Sequence, residues 1–556
     1  MSEVSIEIHD PTCRASPHHR SHCRLGAGAN VWVQDGSLWL YVAHNAAYDE
    51  NGRLLKLGCV RLTLADKSLT DPVDFRQELD LATGTIRIRA GNFAATLWFA
   101  GQTLMIETTS LSPQSFQVEF ATWRDQKRSG LKLDVWGAET VEPDTVATDG
   151  GGIIWWHRNS DYSSDLAGAA KQQGIPREAL HDPTERLVFG GAIAAAGGLT
   201  PTGATAVHWQ YWDGKAWTAR TVKSGQHLLA IALHAQRDGD PAVWLREGAA
   251  KKDEAAHWAE FWLRSYIVIN PDAKPDDPGW QVGRNYQLFR YMLGCNRGGT
   301  LLLLFNGGIF TTDDPPGRIA DNNNPDLPIS PGPPSTPDFR RWLGCRFMAQ
   351  NQRWAGWPTL ATGDADLLAP SVAFYRARSD VAAARTRNLG ADGVVYPEPL
   401  DLWGLCCVEP LANGLCGAEH LTYDFDMMLQ FAWMGLQAHS VLGTRLHADI
   451  PWIEGTVRFY DTFYRAECKK RTGIELDEDS KLALYPCNGL EFARGATNPV
   501  ETIAAASSGS WMGYWRCRRT SCRWRRATIS SKSGVGCRIC PSAHARAGAR
   551  CWWRSR

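Results

Sequence analysis

The chain has 556 residues, 44% of them hydrophobic and 21% charged, the balance of a globular protein with room for two or three domains and a large core. Its formal charge of zero hides an asymmetry. Residues 507–556 hold 11 Arg, one Lys and no acid, so the other 506 residues carry 47 basic side chains against 59 acidic ones, a net of −12. An acidic body gives no support for nucleic acid as a partner. The sequence has no apolar run of about 18 residues, so no membrane partner is expected. The start, MSEVSIEIHDPT, shows no basic-then-apolar secretory signal, and the destination of the chain stays open.

The first 29 residues form a segment apart. Thr12–Gly26 reads TCRASPHHRSHCRLG, and a one-nucleotide shift of a compatible coding sequence turns it into an ordinary Pro-rich turn. His18, His19, His22 and Cys23 are therefore poor metal ligands, and no metal or cofactor is expected. From 30 to 250 the apolar period is close to two. VWVQDGSLWLYVA, LKLGCVRLTL, GTIRIRAGNFAATLWFAGQTLMIETTS, SFQVEFATWR, ATAVHWQYWDGKAW and HLLAIALHA alternate or run apolar over strand lengths, with turns at Asp35-Gly36 and Asn51-Gly52. The spacing predicts an antiparallel β-sandwich of two large sheets. Asp49, Glu50 and Arg53 fit turn and sheet-edge roles better than chemistry.

Residues 251–280 read as a linker helix around HWAEFWLRSYI (His257–Ile267), and 281–505 as a large helical domain. RNYQLFRYML, FRRWLGCRFMAQNQRWAGWPTL, DLLAPSVAFYRARSDVAAARTRNLG, FDMMLQFAWMGLQAHSVLG and PWIEGTVRFYDTFYRAECKKRTG are its helical stretches. The long connection Thr311–Pro337 suits a loop at the mouth of a site. Twenty-five Trp, and the dense amides and aromatics of Gly279–Pro358, are the chemistry that holds sugars: ring faces cover C–H patches and amides bond hydroxyls.

Gly279–Pro358, with YVAHNAAYDENGRLLKLGCVRLTL and FRQELDLATGTIRIRAG, resembles the uncharacterised proteins grouped as DUF5703. More distantly it resembles the glycoside hydrolases of family 95, which include α-L-fucosidases. The resemblance runs over about residues 30–505. It implies a supersandwich followed by an (α/α)6 barrel, a glycan substrate such as a fucoside or galactoside, and inverting hydrolysis. It also implies a site. Glu491, in YPCNGLEFARGATNP, matches the position of the general acid, although Cys487-Asn488-Gly489-Leu490 departs from the family wording; a surface Glu in a loop is the competing reading. Gln350 and Gln352 match two amides that place the attacking water, each longer by a methylene than the family's Asn. Asn306, Asn351, Trp354, Trp357 and Glu398 match or neighbour substrate-contacting positions, with loop-cap and rigid-turn roles as the alternatives for Asn306 and Glu398. The acid that would activate the water is implied beyond Ala506. A non-catalytic carbohydrate-binding relative is the competing function, and the oligomeric state is not legible.

The tail, 506–556, is alien to this frame. It holds five Cys, five Trp and no Leu, Asp or Glu. Cys517, Cys522, Cys537 and Cys540 offer a superficial zinc ribbon, and the Arg/Trp mixture a basic arm for nucleic acid. Arg, Cys, Trp, Ser, Ala and Gly are also what GC-rich codons yield out of frame. A shifted reading of Ser508–Arg554 can be Leu-rich and amphipathic, so the barrel is expected to be incomplete at its C-terminus, with impaired activity. Resequencing the DNA across codons 1–30 and 500–560 is expected to return single-base changes that restore both readings; an unchanged frame refutes the expectation.

Overall fold

In the computed structural model the described residues are 5–8, 20–24, 26–64, 69, 75–131, 139–149, 151–159, 164–209, 212–244, 255–298, 301–302, 336–338, 347–443, 448–489 and 493–505. The zinc-ribbon and basic-arm readings of the tail, and most of Thr12–Gly26, lie outside them.

Period-two alternation builds two antiparallel sheets. One has nine strands in the order Ser5–Ile8, Arg76–Asp80, Thr85–Ala90, Phe93–Ala100, Thr103–Gln114, Ser224–Arg237, Leu187–Ala195, Gly152–Arg158 and Thr145–Asp149. The other has seven: Leu199–Trp209, Trp212–Thr221, Phe116–Thr122, Leu54–Leu64, Ser37–Tyr48, Ala27–Gln34 and Arg20–Arg24. Strands Ser5–Ile8 and Arg20–Arg24 thus join the sheets ahead of residue 30. Every second residue faces the shared core, among them Leu38, Leu40, Val42, Val60, Leu62, Ile86 and Ile88, none more than 2% exposed. The Asp35-Gly36 hairpin is as expected, with φ of 47° and 71°. At the second turn Asp49 does the work: its Oδ1 accepts from the backbone N–H of Asn51 and Arg53, and its Oδ2 from Arg53 Nε at 2.8 Å. Gly52 has φ 73°, and a Cβ there would lie 2.5 Å from the Trp403 ring of the helical half.

The helices are α1 (Ser164–Gln172), α2 (Ala255–Arg264), α3 (Pro278–Cys295), α4 (Ala349–Thr362), α5 (Ala365–Ala377), α6 (Ser379–Asn388), α7 (Asp426–Leu442) and α8 (Ile450–Thr472). The linker helix is therefore α2, and the helical half opens at α3, whose N-terminus Asp277 caps by accepting from Trp280 N–H at 2.8 Å. α4 packs on α5 and α7, and α7 on α5 and α8. Antiparallel sheets followed by helices are the expected architecture at this level.

The halves are joined by buried charge. Arg124, 4% exposed, donates from Nε to Asp144 at 3.0 Å, from Nη1 to Asp338 at 2.6 Å and from Nη2 to the Lys56 carbonyl at 2.8 Å. Asp338 also accepts from Trp123 Nε1 and from the Lys56 N–H, and Lys56 Nζ holds the Pro337 carbonyl. His157 Nδ1 lies 3.0 Å from Asp144 and its Nε2 3.6 Å from Glu50. Burial alone would lower the His157 pKa, but the hydrogen bond to Asp144 and the charges of Asp144 and Glu50 outweigh it and hold it at about 9. A folded pKa above the unfolded 6.5 adds stability below pH 6.5 that is lost as pH rises through 9. His157 should therefore contribute a fall in urea stability over that window of on the order of 3 kcal/mol, and His157→Gln should lessen the slope there by that share; an unchanged slope in the variant contradicts the assignment.

Candidate active site

The strongest concentration of buried acid lies where two helices begin. Phe347–Met348 pairs with Pro399–Leu400, and this short ladder sets Glu398 against the start of α4. Its carbonyl accepts from Ala349 N–H at 3.2 Å and its Oε1 from Gln350 N–H at 2.9 Å. One residue thus satisfies two of the free N–H groups at the helix terminus, where a carboxylate is also favoured by the helix dipole. α7, beside α4, starts at Asp426, with Asp424 two residues earlier; Asp424 is 1% exposed and Asp426 2%. Asp426 Oδ2 accepts from Gln430 Nε2 at 2.8 Å, and Gln430 Oε1 accepts from Arg353 Nη1 of α4 at 3.1 Å.

Burial pushes the Asp424 carboxyl up to about 10, aided by its hydrogen bond with Asp426 and by the charges of Asp426 and Glu398, and opposed by Arg353. Asp424 is therefore a neutral acid at pH 7 beside Asp426. Burial, together with the charges of neighbours that include Asp426, also raises the hydroxyls of Tyr460 and Tyr464 on α8. Burial first, then Glu398, does the same to Tyr375. The site is thus walled by α4, α5, α7 and α8 and by the strand Cys487–Gly489. Asn488 fastens that strand: its N–H donates to the Tyr423 carbonyl at 3.1 Å and its Nδ2 to the Glu419 carbonyl at 3.1 Å.

The structure separates the residues singled out from the sequence. Gln350, Trp354 and Trp357 fall four and three residues apart on one stripe of α4, with Trp354 67% exposed and Trp357 leaning on Trp433 at 4.8 Å between centroids. Asn351 is half-buried beside them. Gln352, about 200° round the helix from Gln350, is 1% exposed. It lines a cavity of about 20 Å³ with Leu293, Asn296, Ala355, Gly356, Leu367 and Ser371, room for a water and not for a sugar ring. Glu398 joins the acidic cluster. Asn306 and Glu491 lie outside the described residues; the strands either side of Glu491, Cys487–Gly489 and Ala493–Ala496, pair as a hairpin. Asp424, Asp426, Arg353 and Gln430 were not singled out. Asp-Phe-Asp before MMLQFAWMGL reads as ordinary first-turn acid of a helix, and only the approach of Glu398 from elsewhere in the chain makes it a cluster. Among the described residues no group of three His, Cys, Asp or Glu side chains has the geometry to hold a metal ion.

A fold of antiparallel sheets followed by packed helices is shared with known proteins. Residues 25–267 match the N-terminal domain model described as "Domain of unknown function (DUF5703)". No curated protein matches the chain. Among solved structures, a protein from the human microbiome assigned as a kojibiose phosphorylase is similar with a TM-score of 0.51 at 11% identity, over 90% of this chain and 63% of that one. A bacterial glucoamylase complexed with acarbose gives a TM-score of 0.38 at 7% identity, over 80% of this chain and 58% of that one. The chain thus spans about three fifths of the length of either protein. The domain match carries the DUF5703 part of the resemblance over residues 25–267, and the first of the structures the sheet-then-helices fold; neither names family 95.

Because Asp424 is protonated in the fold and ionised when unfolded above pH 3.8, its contribution to stability is complete below that pH and is lost as pH rises through about 10. Asp424→Asn, which keeps a neutral donor, should flatten the decline of urea stability between pH 4 and 6.5, where His157 contributes no slope. An unaltered decline there refutes the protonated Asp424.

Proposed function

We propose that the chain is a glycosidase-like protein that cleaves a glycosidic bond in a glycan, of fucoside or galactoside type, by inverting hydrolysis. The observation that carries this reading is the buried acid cluster of Glu398, Asp424 and Asp426 at the starts of α4 and α7. Glycoside hydrolysis needs one carboxyl held protonated and a second held as a base, and the cluster marks a place where burial and neighbouring charge shift carboxyls in that way. Glu491, on the hairpin that Asn488 fastens to the segment leading into Asp424, serves as the general acid. Gln350 orients the attacking water at the start of α4, and Gln352 holds that helix start from behind through the small cavity. Trp354 and Trp357, with Asn351 between them and Gln350, cover the sugar, while Glu398 and Asn306 bond its hydroxyls. We read the helical half around them as part of an (α/α)6 barrel of the family-95 kind. Likeness of fold to a protein named for phosphorolysis of kojibiose supports the reaction class without fixing water or phosphate as the acceptor.

One observation favours a second reading, a carbohydrate-binding relative that does no chemistry: Asp424 and Asp426 are both almost completely buried. The test is sugar release from aryl fucosides, aryl galactosides and plant oligosaccharides, followed by proton NMR with and without phosphate. Release of the inverted anomer, lowered about 10²–10⁴-fold in Glu491→Gln, is expected. Release that survives this substitution refutes Glu491 as the acid. Saturable sugar binding with no release selects the second reading, and release only in the presence of phosphate replaces hydrolysis by phosphorolysis.

A further inference from the structure

Downstream of Glu398 the chain folds back on itself and brings two cysteines to one atom. Leu400 and Cys406 pair across an isolated bridge, as do Pro410 and Cys416. A small hairpin closes between the two cysteines, through Gly417 N–H to the Glu409 carbonyl at 2.7 Å and Leu411 N–H to the Leu415 carbonyl at 2.9 Å. At its neck Cys406 Sγ donates to the Val408 carbonyl at 3.3 Å, and Cys416 Sγ donates to the same oxygen at 3.2 Å. One carbonyl has lone pairs for both, and two donors on a single acceptor are held close to each other. Both thiols are fully buried and pack with Met348, Ala418 and Leu421. Their protons are not independent: the interaction with Cys406 leads the causes that lower the Cys416 thiol, and the same interaction raises Cys406. Cys416 is therefore the sulfur that ionises first. Glu409, between them in the chain, stands at φ 42°, a left-handed conformation unfavourable for a residue with a Cβ, and Leu411 at the tip is 41% exposed. A short hairpin with few backbone bonds and an exposed tip belongs to the part of a fold that opens locally at least cost.

We propose that Cys406 and Cys416 form a dithiol site that closes to an intramolecular disulfide and fastens the neck of this hairpin beside the start of α4. The reactant is a small dialkyl disulfide, admitted when the hairpin opens. The Cys416 thiolate attacks one sulfur of the reactant, and the other half leaves as a thiolate that takes up a proton. The Cys406 sulfur then attacks Cys416 in the mixed disulfide and expels the second half in the same way. Two cysteine sulfurs are oxidised, the two sulfurs of the reactant are reduced, and two protons pass from the cysteines to the released thiols. The position gives the cross-link a consequence. Met348, which precedes α4, packs on both sulfurs, and the Glu419 carbonyl just past the neck accepts from Asn488 Nδ2. A bond across the neck limits the excursions of the segment on which the start of α4 and the strand of Asn488 both rest. The site does not depend on the glycan reading above.

The test treats the full, folded chain with bis(hydroxyethyl) disulfide, blocks the remaining thiols with N-ethylmaleimide in acid-quenched denaturant, and maps the digest by mass spectrometry. The expected product is a peptide pair joined through Cys406 and Cys416, lighter than the reduced pair by two hydrogen atoms. In Cys406→Ser the second step has no nucleophile, so a hydroxyethyl adduct should accumulate on Cys416 instead. Cys407→Ser should still cross-link. Hydrogen exchange of the backbone amides between the two cysteines should slow about tenfold in the cross-linked chain. Absence of the joined pair from the folded chain overturns the site, and so does a cross-link that runs through Cys407. A cross-link that forms only after urea has unfolded the chain overturns it as well, because the pairing then owes nothing to the fold. Exchange that the cross-link leaves unaltered overturns the fastening of the hairpin.

Discussion

Arg124 is the constraint on which the two halves depend. A guanidinium only 4% exposed is tolerable when its donors are used, and three of them are spent on Asp144, Asp338 and the Lys56 carbonyl. Asp144 and Lys56 belong to the sandwich, whereas Asp338 stands at the end of the long Pro-rich connection of the helical half. Removing any member strands a charge in the interior, which costs about 3–5 kcal/mol. The joint is therefore specific in a way an apolar seam is not. Asn45, donating to Asn296 at 2.9 Å, and Trp262, donating to the Leu81 carbonyl at 2.7 Å, repeat the same logic with neutral groups.

The acidic cluster follows a different rule. Three carboxyl groups brought together without equal positive charge cannot all ionise, and Asp424 keeps its proton. Helix starts supply partial positive charge for the others, and Arg353 supplies more at one remove through Gln430. Charge is thus rationed by position: Asp424 neutral, with Asp426 and Glu398 receiving hydrogen bonds from side chain and backbone respectively.

The sheets were legible because burial on one face writes a period of two into the chain, as in LWLYV and VRLTL. Asp35-Gly36 and Asn51-Gly52 were legible because left-handed backbone leaves few residue choices. Glu398 was visible as a carboxylate in an aromatic loop. Asp424 and Asp426 were not, since acid at a helix start is the commonest of local patterns and the third carboxyl comes from a segment some 25 residues away. Gln350 and Gln352 looked like a pair because two residues separate little in sequence; on a helix the same step turns the second away from the first.

Glu398 serves the first turn of α4 twice, through its carbonyl and through its carboxylate, while the residues after it run into the turn that Asp401 holds by accepting from Trp403 and Leu405 N–H. Trp403 in turn covers Gly52 of the sandwich. A hairpin tip, a buried loop and a helix start are thereby geared to one another like parts on a single shaft. A change at the Asn51-Gly52 tip would therefore press first on the Trp403 ring, and the turn held by Asp401 stands between that ring and the start of α4.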